Sequence, residues 1–186
     1  SDTICRSIYE TYTLEMKKPR LGQNYLVDED IAREIIDHAG ISNDQYVLEI
    51  GPGKGILTAL LLGKVKSLTA LEIDSKLCLA LTDRFKGNEN FQLIQADALK
   101  YNYSALGNQY QVVSNLPYYA ATHILKRLIH YRENFTHITV MLQKEVVDRL
   151  VAIPGTRDYG SLSVFVQFYC KVERLIEVSK EAFSPK

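Results

Sequence analysis

Several absences bound what this chain can be. It has three cysteines, Cys5, Cys78 and Cys170. Their odd number, their wide spacing and the want of a C-x-x-C pair argue against a disulfide framework and for reduced thiols in the cytoplasm. An excess of charge of one sign is also lacking, because 22 basic side chains cancel 22 acidic ones. The overall field pulls toward neither phosphate nor membrane, so any nucleic-acid footprint has to be a local patch. No apolar run approaches the roughly 18 residues of a membrane helix, and the start SDTICRSIYETY carries neither the basic nor the apolar region of a signal peptide. A cytoplasmic protein with no membrane partner is expected. His38, His123, His130 and His137 show no i, i+4 ligand pairing and no neighbouring cysteine, so no metal is expected either. A G-x-S-x-G nucleophile elbow and a G-x-x-x-x-G-K-[ST] phosphate loop are both missing.

What is present is an alternation of strand and helix patterns, uninterrupted by repeats or low-complexity segments. At 186 residues and 46% hydrophobic, the chain suits one sizeable core. DEDIAREIIDHAG places Ile31, Ile35, Ile36 and Ala39 on one face, puts acids in the first turn and closes on Gly40, as an amphipathic helix does. YVLEI (46–50), SLTALEI (67–73), FQLIQ (91–95), YQVVS (110–114) and HITVML (137–142) read as strands. ILTALLLGK, SKLCLALTDRF (75–85, with Ser75 as N-cap), ATHILKRLIHY and KEVVDRLVA read as the helices between and after them. LSVFVQFY and VERLIEV read as two extended runs, a closing antiparallel pair. The expected fold is α/β, a mostly parallel sheet with an antiparallel closing strand.

Ligands of such sheets bind beyond the carboxyl ends of the strands, which makes the residues just after each strand the informative ones. The first strand runs into EIGPGKGILT, where Gly51, Gly53 and Gly55 allow a tight turn and close approach of backbone to a ligand before a helix N-terminus. Glu72 ends the second strand, where a carboxylate can accept from both ribose hydroxyls. Asp97 follows the third and can accept from an adenine amino group, although a turn cap is the plainer reading of that residue alone. Together they suit an adenosine-bearing cofactor, a nicotinamide dinucleotide or S-adenosylmethionine. The spacing G-x-G-x-G departs from the G-x-G-x-x-G that seats a pyrophosphate, which favours S-adenosylmethionine. After the fourth strand comes NLPYYAAT (115–122), an amide, a proline and two tyrosines.

At this point the residues resemble a family. NLPY is similar to the motif of methyltransferases that act on amino groups. LGQNYLVD (21–28), EIGPGKGILT (49–58), LEID (71–74) and ADAL (96–99) resemble the remaining motifs of the ribosomal RNA adenine N6,N6-dimethyltransferases, the KsgA and Erm family. LQKEVVDRLVA (142–152) and YGSLSVFVQFY (159–169) resemble its KsgA branch, which acts on small-subunit RNA. The resemblance runs from about Lys17 to the last residue and implies a Rossmann-like S-adenosylmethionine-dependent fold. It implies that Asn24 and Leu26 close over the cofactor, with Gly51, Gly53, Gly55, Glu72, Asp97 and Asn115 as further contacts. Asn115, Leu116, Pro117 and Tyr118 are implied as the catalytic set. The expected partner is ribosomal RNA in a small-subunit particle, and the expected state is a monomer.

The organisation expected is an N-terminal extension of unassigned role over residues 1–16, a catalytic domain over 17–186, and no counterpart of the family's C-terminal helical domain. Lys17–Arg20, KKPR, reads either as a phosphate contact or as a solvated basic run. Two other functions remain open: an RNA-binding assembly module in which methylation is lost, and an Erm-like enzyme of large-subunit RNA. Tyr119, Ala120, Ala121 and Thr122 depart from the family's usual Asn-Ile-Ser-Thr, and the shape of the base pocket is where that departure should tell.

Overall fold

The computed structural model describes residues 3–11 and 24–184. Lys17–Arg20, the first three residues of LGQNYLVD and the thiol of Cys5 lie outside the described residues.

Helix and strand alternate as the patterns require. Helix α1 (Glu29–Ala39) starts at Asp28, whose side chain accepts from the backbone N–H groups of Asp30 and Ile31, and stops at Gly40, left-handed at φ 65°. These are the start and stop chemistries that satisfy orphan groups at helix ends. After it come β3 (Tyr46–Ile50), α2 (Ile56–Leu62), β4 (Ser67–Glu72), α3 (Ser75–Arg84), β5 (Phe91–Gln95), β6 (Tyr110–Asn115), α4 (Ala121–His130), β7 (Phe135–Gln143) and α5 (Lys144–Val151). Helix α3 is capped by Asp74 rather than by Ser75: the Asp74 carboxylate accepts from the backbone N–H groups of Lys76 and Leu77.

The end of the chain corrects the expected antiparallel pair. Ser161–Tyr169 is a helix, α6, and Cys170–Ser179 is a strand, β8. A short continuous apolar run has no period that separates strand from helix. Here Leu162 and Val166, one turn apart, are both buried against the core. The helix returns the chain, so β8 enters the sheet parallel to its neighbour.

That neighbour is β1 (Thr3–Thr11), paired in parallel with β7 on one side and β8 on the other, with Cys5 opposite both Ile138 and Val172. The seven-stranded sheet runs β5-β4-β3-β6-β7-β1-β8, and each of its pairings is parallel. The antiparallel pairing among the described residues is a separate short pair, β2 (Tyr25–Leu26) with β9 (Phe183–Ser184).

Both faces of the sheet are covered, which is why its strands are nearly continuous apolar runs. Leu48, Ile50, Val112, Ile138, Val140 and Leu142 pack with α4, α5 and α6 in one core. Val47, Leu68, Val113 and Met141, pointing the other way, pack with α1 and α2 in a second. The sheet order reverses between β3 and β6. From β3 the chain moves outward to β4 and β5, then returns to the other side of β3 with β6. Such a switch point leaves a crevice beyond the strand ends. The β3–β6 ladder stops at the Leu48–Val112 pair, and beyond it the Ser114 hydroxyl accepts from the Ile50 backbone N–H at 2.7 Å. A side chain thus replaces a ladder bond where the strands part.

Candidate active site

A cavity of about 690 Å³ opens at this switch point. Its walls come from the turn after β3, the start of α2, the turn after β4, the segment after β6, the end of β7, and the Asn24–Leu26 segment. That volume is in the range of sites that hold a small organic ligand.

Gly51 and Gly53 are both in the left-handed region, at φ 67° and 58°, which disfavours any residue with a Cβ. At Gly51 the turn runs close to the β6 side: an added Cβ would lie 3.5 Å from Pro117 Cδ. At Gly53 an added Cβ would stand 2.8 Å from the Tyr25 ring, which lies over the turn. Gly55 has a different role. It begins α2, does not line the cavity, and its missing Cβ leaves room for Leu81 of α3 and for Phe85 just past the end of that helix.

Glu72 is 2% exposed. Its Oε1 accepts from the backbone N–H groups of Ile73 (2.8 Å) and Asp74 (3.0 Å), and its Oε2 from Gly53 at 3.4 Å. A buried carboxylate needs such donors. They tie the end of β4 to the glycine turn and leave Oε2 spare acceptor capacity. Ile73 and Asp74, rather than Glu72 itself, line the cavity. Tyr25 lies close by: burial raises its hydroxyl pKa first, and the negative charges of Glu72 and Asp74 raise it further. Lys54 sits over the same ring, 5.1 Å from its centroid.

Asp97 is not in the cavity wall. Its Oδ1 accepts from the Leu99 backbone N–H at 2.9 Å, and its Oδ2 faces Lys100 at 3.9 Å. The turn-capping reading therefore describes what Asp97 does in this structure. It lies two positions past Gln95, the partner of Glu72 across β4 and β5.

Asn115, Leu116, Pro117, Tyr118 and Tyr119 all line the cavity. A backbone bond from Ala120 N–H to the Pro117 carbonyl closes their turn at 3.0 Å. Leu116 is buried, whereas Tyr119 is 66% exposed. The Asn115 Oδ1 is buried and accepts no hydrogen bond among the described residues. Buried polar atoms almost always have partners, and one without marks a place where something else is expected to bind. Asn24 and Leu26 also line the cavity, held by the β2–β9 pair and by a 2.8 Å bond from Val27 N–H to the Ala182 carbonyl.

Two further cavity residues lie inside quoted motifs but carry no role that residue order alone assigns. Glu49, inside the EIGPGKG motif, is 1% exposed and accepts from the Thr58 hydroxyl at 2.7 Å. Burial pushes its pKa up to about 8, against the Thr58 bond and with a further rise from Glu72. A carboxylate in the middle of an apolar strand was the available signal. Gln143, at the end of β7, is the other. Among the described residues no His, Cys, Asp and Glu cluster could hold a metal ion, and no helix is long and apolar enough to cross a membrane. The thiols of Cys78 and Cys170 are free and buried.

The model of the family described as Ribosomal RNA adenine dimethylase matches residues 14–186. Ribosomal RNA small subunit methyltransferase A of Clostridium acetobutylicum is 42% identical over 184 residues, and its counterpart in Clostridium perfringens is 40% identical over 188. These alignments cover 97% and 100% of this chain, and the chain spans 66% of each relative's length. Among solved structures, a dimethyladenosine transferase from Plasmodium falciparum superposes with a TM-score of 0.77 at 31% identity, over 86% of this chain and 58% of that one. The 23S rRNA methyltransferase ErmE gives 0.61 at 28% identity, over 74% and 53%.

Proposed function

Because the chain belongs to the ribosomal RNA adenine dimethylase family, we propose that it is the methyl-transferring part of an enzyme that converts adenosines of small-subunit ribosomal RNA to N6,N6-dimethyladenosine. The observation that carries this reading is the buried, unpartnered Oδ1 of Asn115, set in the same cavity wall as the glycine turn.

S-adenosylmethionine, when bound, supplies an electrophilic methyl group. The residues around the cavity fit it. The Gly51–Gly53 turn leaves room that side chains would fill, and Glu72 has acceptor capacity for ribose hydroxyls. Asn24 and Leu26 close the near side, and Asp97, outside the cavity wall, keeps Oδ2 as an acceptor that an adenine amino group would have to reach.

An adenine N6 amine is a weak nucleophile because its lone pair is delocalised into the ring. Asn115 Oδ1 and the backbone carbonyl of Leu116 can each accept one N6 proton, which holds the nitrogen in the geometry whose lone pair faces the methyl group. Pro117 has no N–H to compete for those acceptors. Tyr118 stacks on the extruded base, worth about 1 to 3 kcal/mol, against the few kcal/mol spent in unstacking it. No general base is needed, since the alkylated amine is acidic until it loses its proton to solvent. Glu49, with a pKa of about 8, is mostly neutral at pH 7 and supplies little charge to the site. Repeating the transfer on the same nitrogen gives the dimethylated product.

The test supplies labelled S-adenosylmethionine with unmodified small subunits, large-subunit RNA and free RNA, then maps any dimethyladenosine. Label in small-subunit RNA is the expected result. Label confined to large-subunit RNA would assign the other branch, and cofactor binding without label on any substrate would sink the enzyme reading for this chain.

A further inference from the structure

Beyond Asn115 and the tyrosines, the base side of the cavity contains one more polar side chain whose position suits recognition of the base. Gln143 closes β7, the strand next to β6. In their register Asn115 pairs with Met141, so Gln143 stands two positions further along, on the same face of the sheet as Met141. It lines the cavity together with Asn115, Leu116 and Pro117. Although Gln143 occupies the N-cap of α5, its side chain makes no capping hydrogen bond. Among the described residues its amide has no hydrogen-bond partner. The next side chain, Lys144, is by contrast committed to Asp148, 2.5 Å away.

We infer that Gln143 reads the target base, donating its amide N–H to the ring nitrogen that flanks the exocyclic amine while Asn115 and Leu116 accept from the amine itself. The inference rests on the adenine reading given above and adds to it a determinant of which base is accepted. Acceptors for an amine beside a donor for a bare ring nitrogen suit the adenine edge, and equally the amine and N3 of cytosine, so the discrimination they provide is against the keto bases. At guanine N1 and uracil N3 the order is opposite, a carbonyl oxygen next to a protonated ring nitrogen, which leaves Asn115 and Gln143 facing groups of the same kind; at N7, bare in guanine as in adenine, the rejection of guanine falls to Asn115 alone. Sites that hydrogen-bond a group discriminate strongly against analogues that leave their polar atoms unpaired.

The experiment measures kcat/KM and binding of S-adenosylhomocysteine for the full chain and for Gln143→Leu and Gln143→Glu. The RNA carries adenosine, 1-deazaadenosine or 7-deazaadenosine at the mapped target. Loss of one such hydrogen bond corresponds to about tenfold in kcat/KM. Gln143→Leu should show that loss on adenosine with unchanged S-adenosylhomocysteine affinity. Gln143→Glu, which replaces the donor by an acceptor, should lose more. One of the two deaza analogues should slow the unaltered chain about as much, and should slow Gln143→Leu no further, the coupling expected of two groups that share a bond. Transfer to adenosine that Gln143→Leu leaves intact, or equal sensitivity of both proteins to both analogues, overturns the inference alone. Failure of the unaltered chain to methylate any adenosine, with cofactor bound, overturns the adenine reading and this inference with it.

Discussion

Gly51 and Pro117 meet across the switch point of the sheet: a Cβ on Gly51 would lie 3.5 Å from Pro117 Cδ and 4.0 Å from the Asn115 carbonyl oxygen. Only about the room of one methyl group therefore separates the turn that can cradle a cofactor from the turn that can hold an amine. Gly51→Ala meets no hard clash, so its cost is the left-handed backbone, about 1 to 2 kcal/mol. Denaturant unfolding should show that loss together with weaker S-adenosylmethionine binding. Equal stability would mean that the turn is not held at φ 67° in solution.

Asn115→Ala separates chemistry from stability. The Oδ1 it removes has no partner in the folded protein, so its loss should leave the unfolding midpoint unchanged or slightly raised. Methyl transfer should fall by roughly 3 kcal/mol in the barrier, the cost of losing a transition-state hydrogen bond in other enzymes. Cofactor affinity should change little. Normal turnover in this variant would refute the role given to Asn115.

Glu49 makes folding stability depend on pH, with a sign opposite to that of an ion-paired carboxylate. Its pKa is raised from the ordinary 4.5 to about 8 by burial. Between those values the folded state keeps a proton that the unfolded chain has released, so stability falls as pH rises through this window. The slope attributable to this one group approaches about 1.4 kcal/mol per pH unit. Glu49→Gln keeps an acceptor for Thr58 and removes the titration, so chemical denaturation across pH 5 to 8.5 should lose that slope. An unchanged slope would show that the carboxyl is not held neutral.

Glu72→Ala should weaken S-adenosylmethionine binding before it affects turnover. The structure adds a distinction. Because Glu72 Oε1 also accepts from Ile73 and Asp74, the alanine variant loses the turn that starts α3 as well. Glu72→Gln can keep those two bonds while losing the charge, so it should melt closer to the parent chain yet still bind cofactor poorly. A calorimetric titration that found full affinity in either variant would contradict the ribose assignment.

Much of this was readable from residue order, and the misses share a cause. Isolated periodic segments such as DEDIAREIIDHAG became the elements their patterns predicted, because one buried face and two caps are local properties. LSVFVQFY failed because a run apolar on every side has no period, and its helical state is decided by packing of Leu162 and Val166 against elements distant in sequence. Ser75 lost the N-cap to Asp74 by one position, since both can cap and only the geometry of the entering strand chooses. Asn115 and the glycine turn were legible because their chemistry is written in a short motif. Gln143 was not, because its significance comes from the register between β6 and β7, a relation between residues 115 and 141 that no local pattern contains.

The small antiparallel pair of β2 and β9 has a thermodynamic consequence. Tyr25 and Leu26 line the cavity, and their backbone is held by Phe183 and Ser184, with Val27 and Asp28 both donating to the Ala182 carbonyl. A ligand that binds better when β2 is in place therefore stabilises the pairing with β9. By linkage, whatever steadies residues 182–184 tightens ligand binding by the same factor. Slower hydrogen exchange of the Val27 amide on adding S-adenosylhomocysteine would register that coupling directly. Residues more than 150 positions apart in sequence would then act as one latch on the cavity.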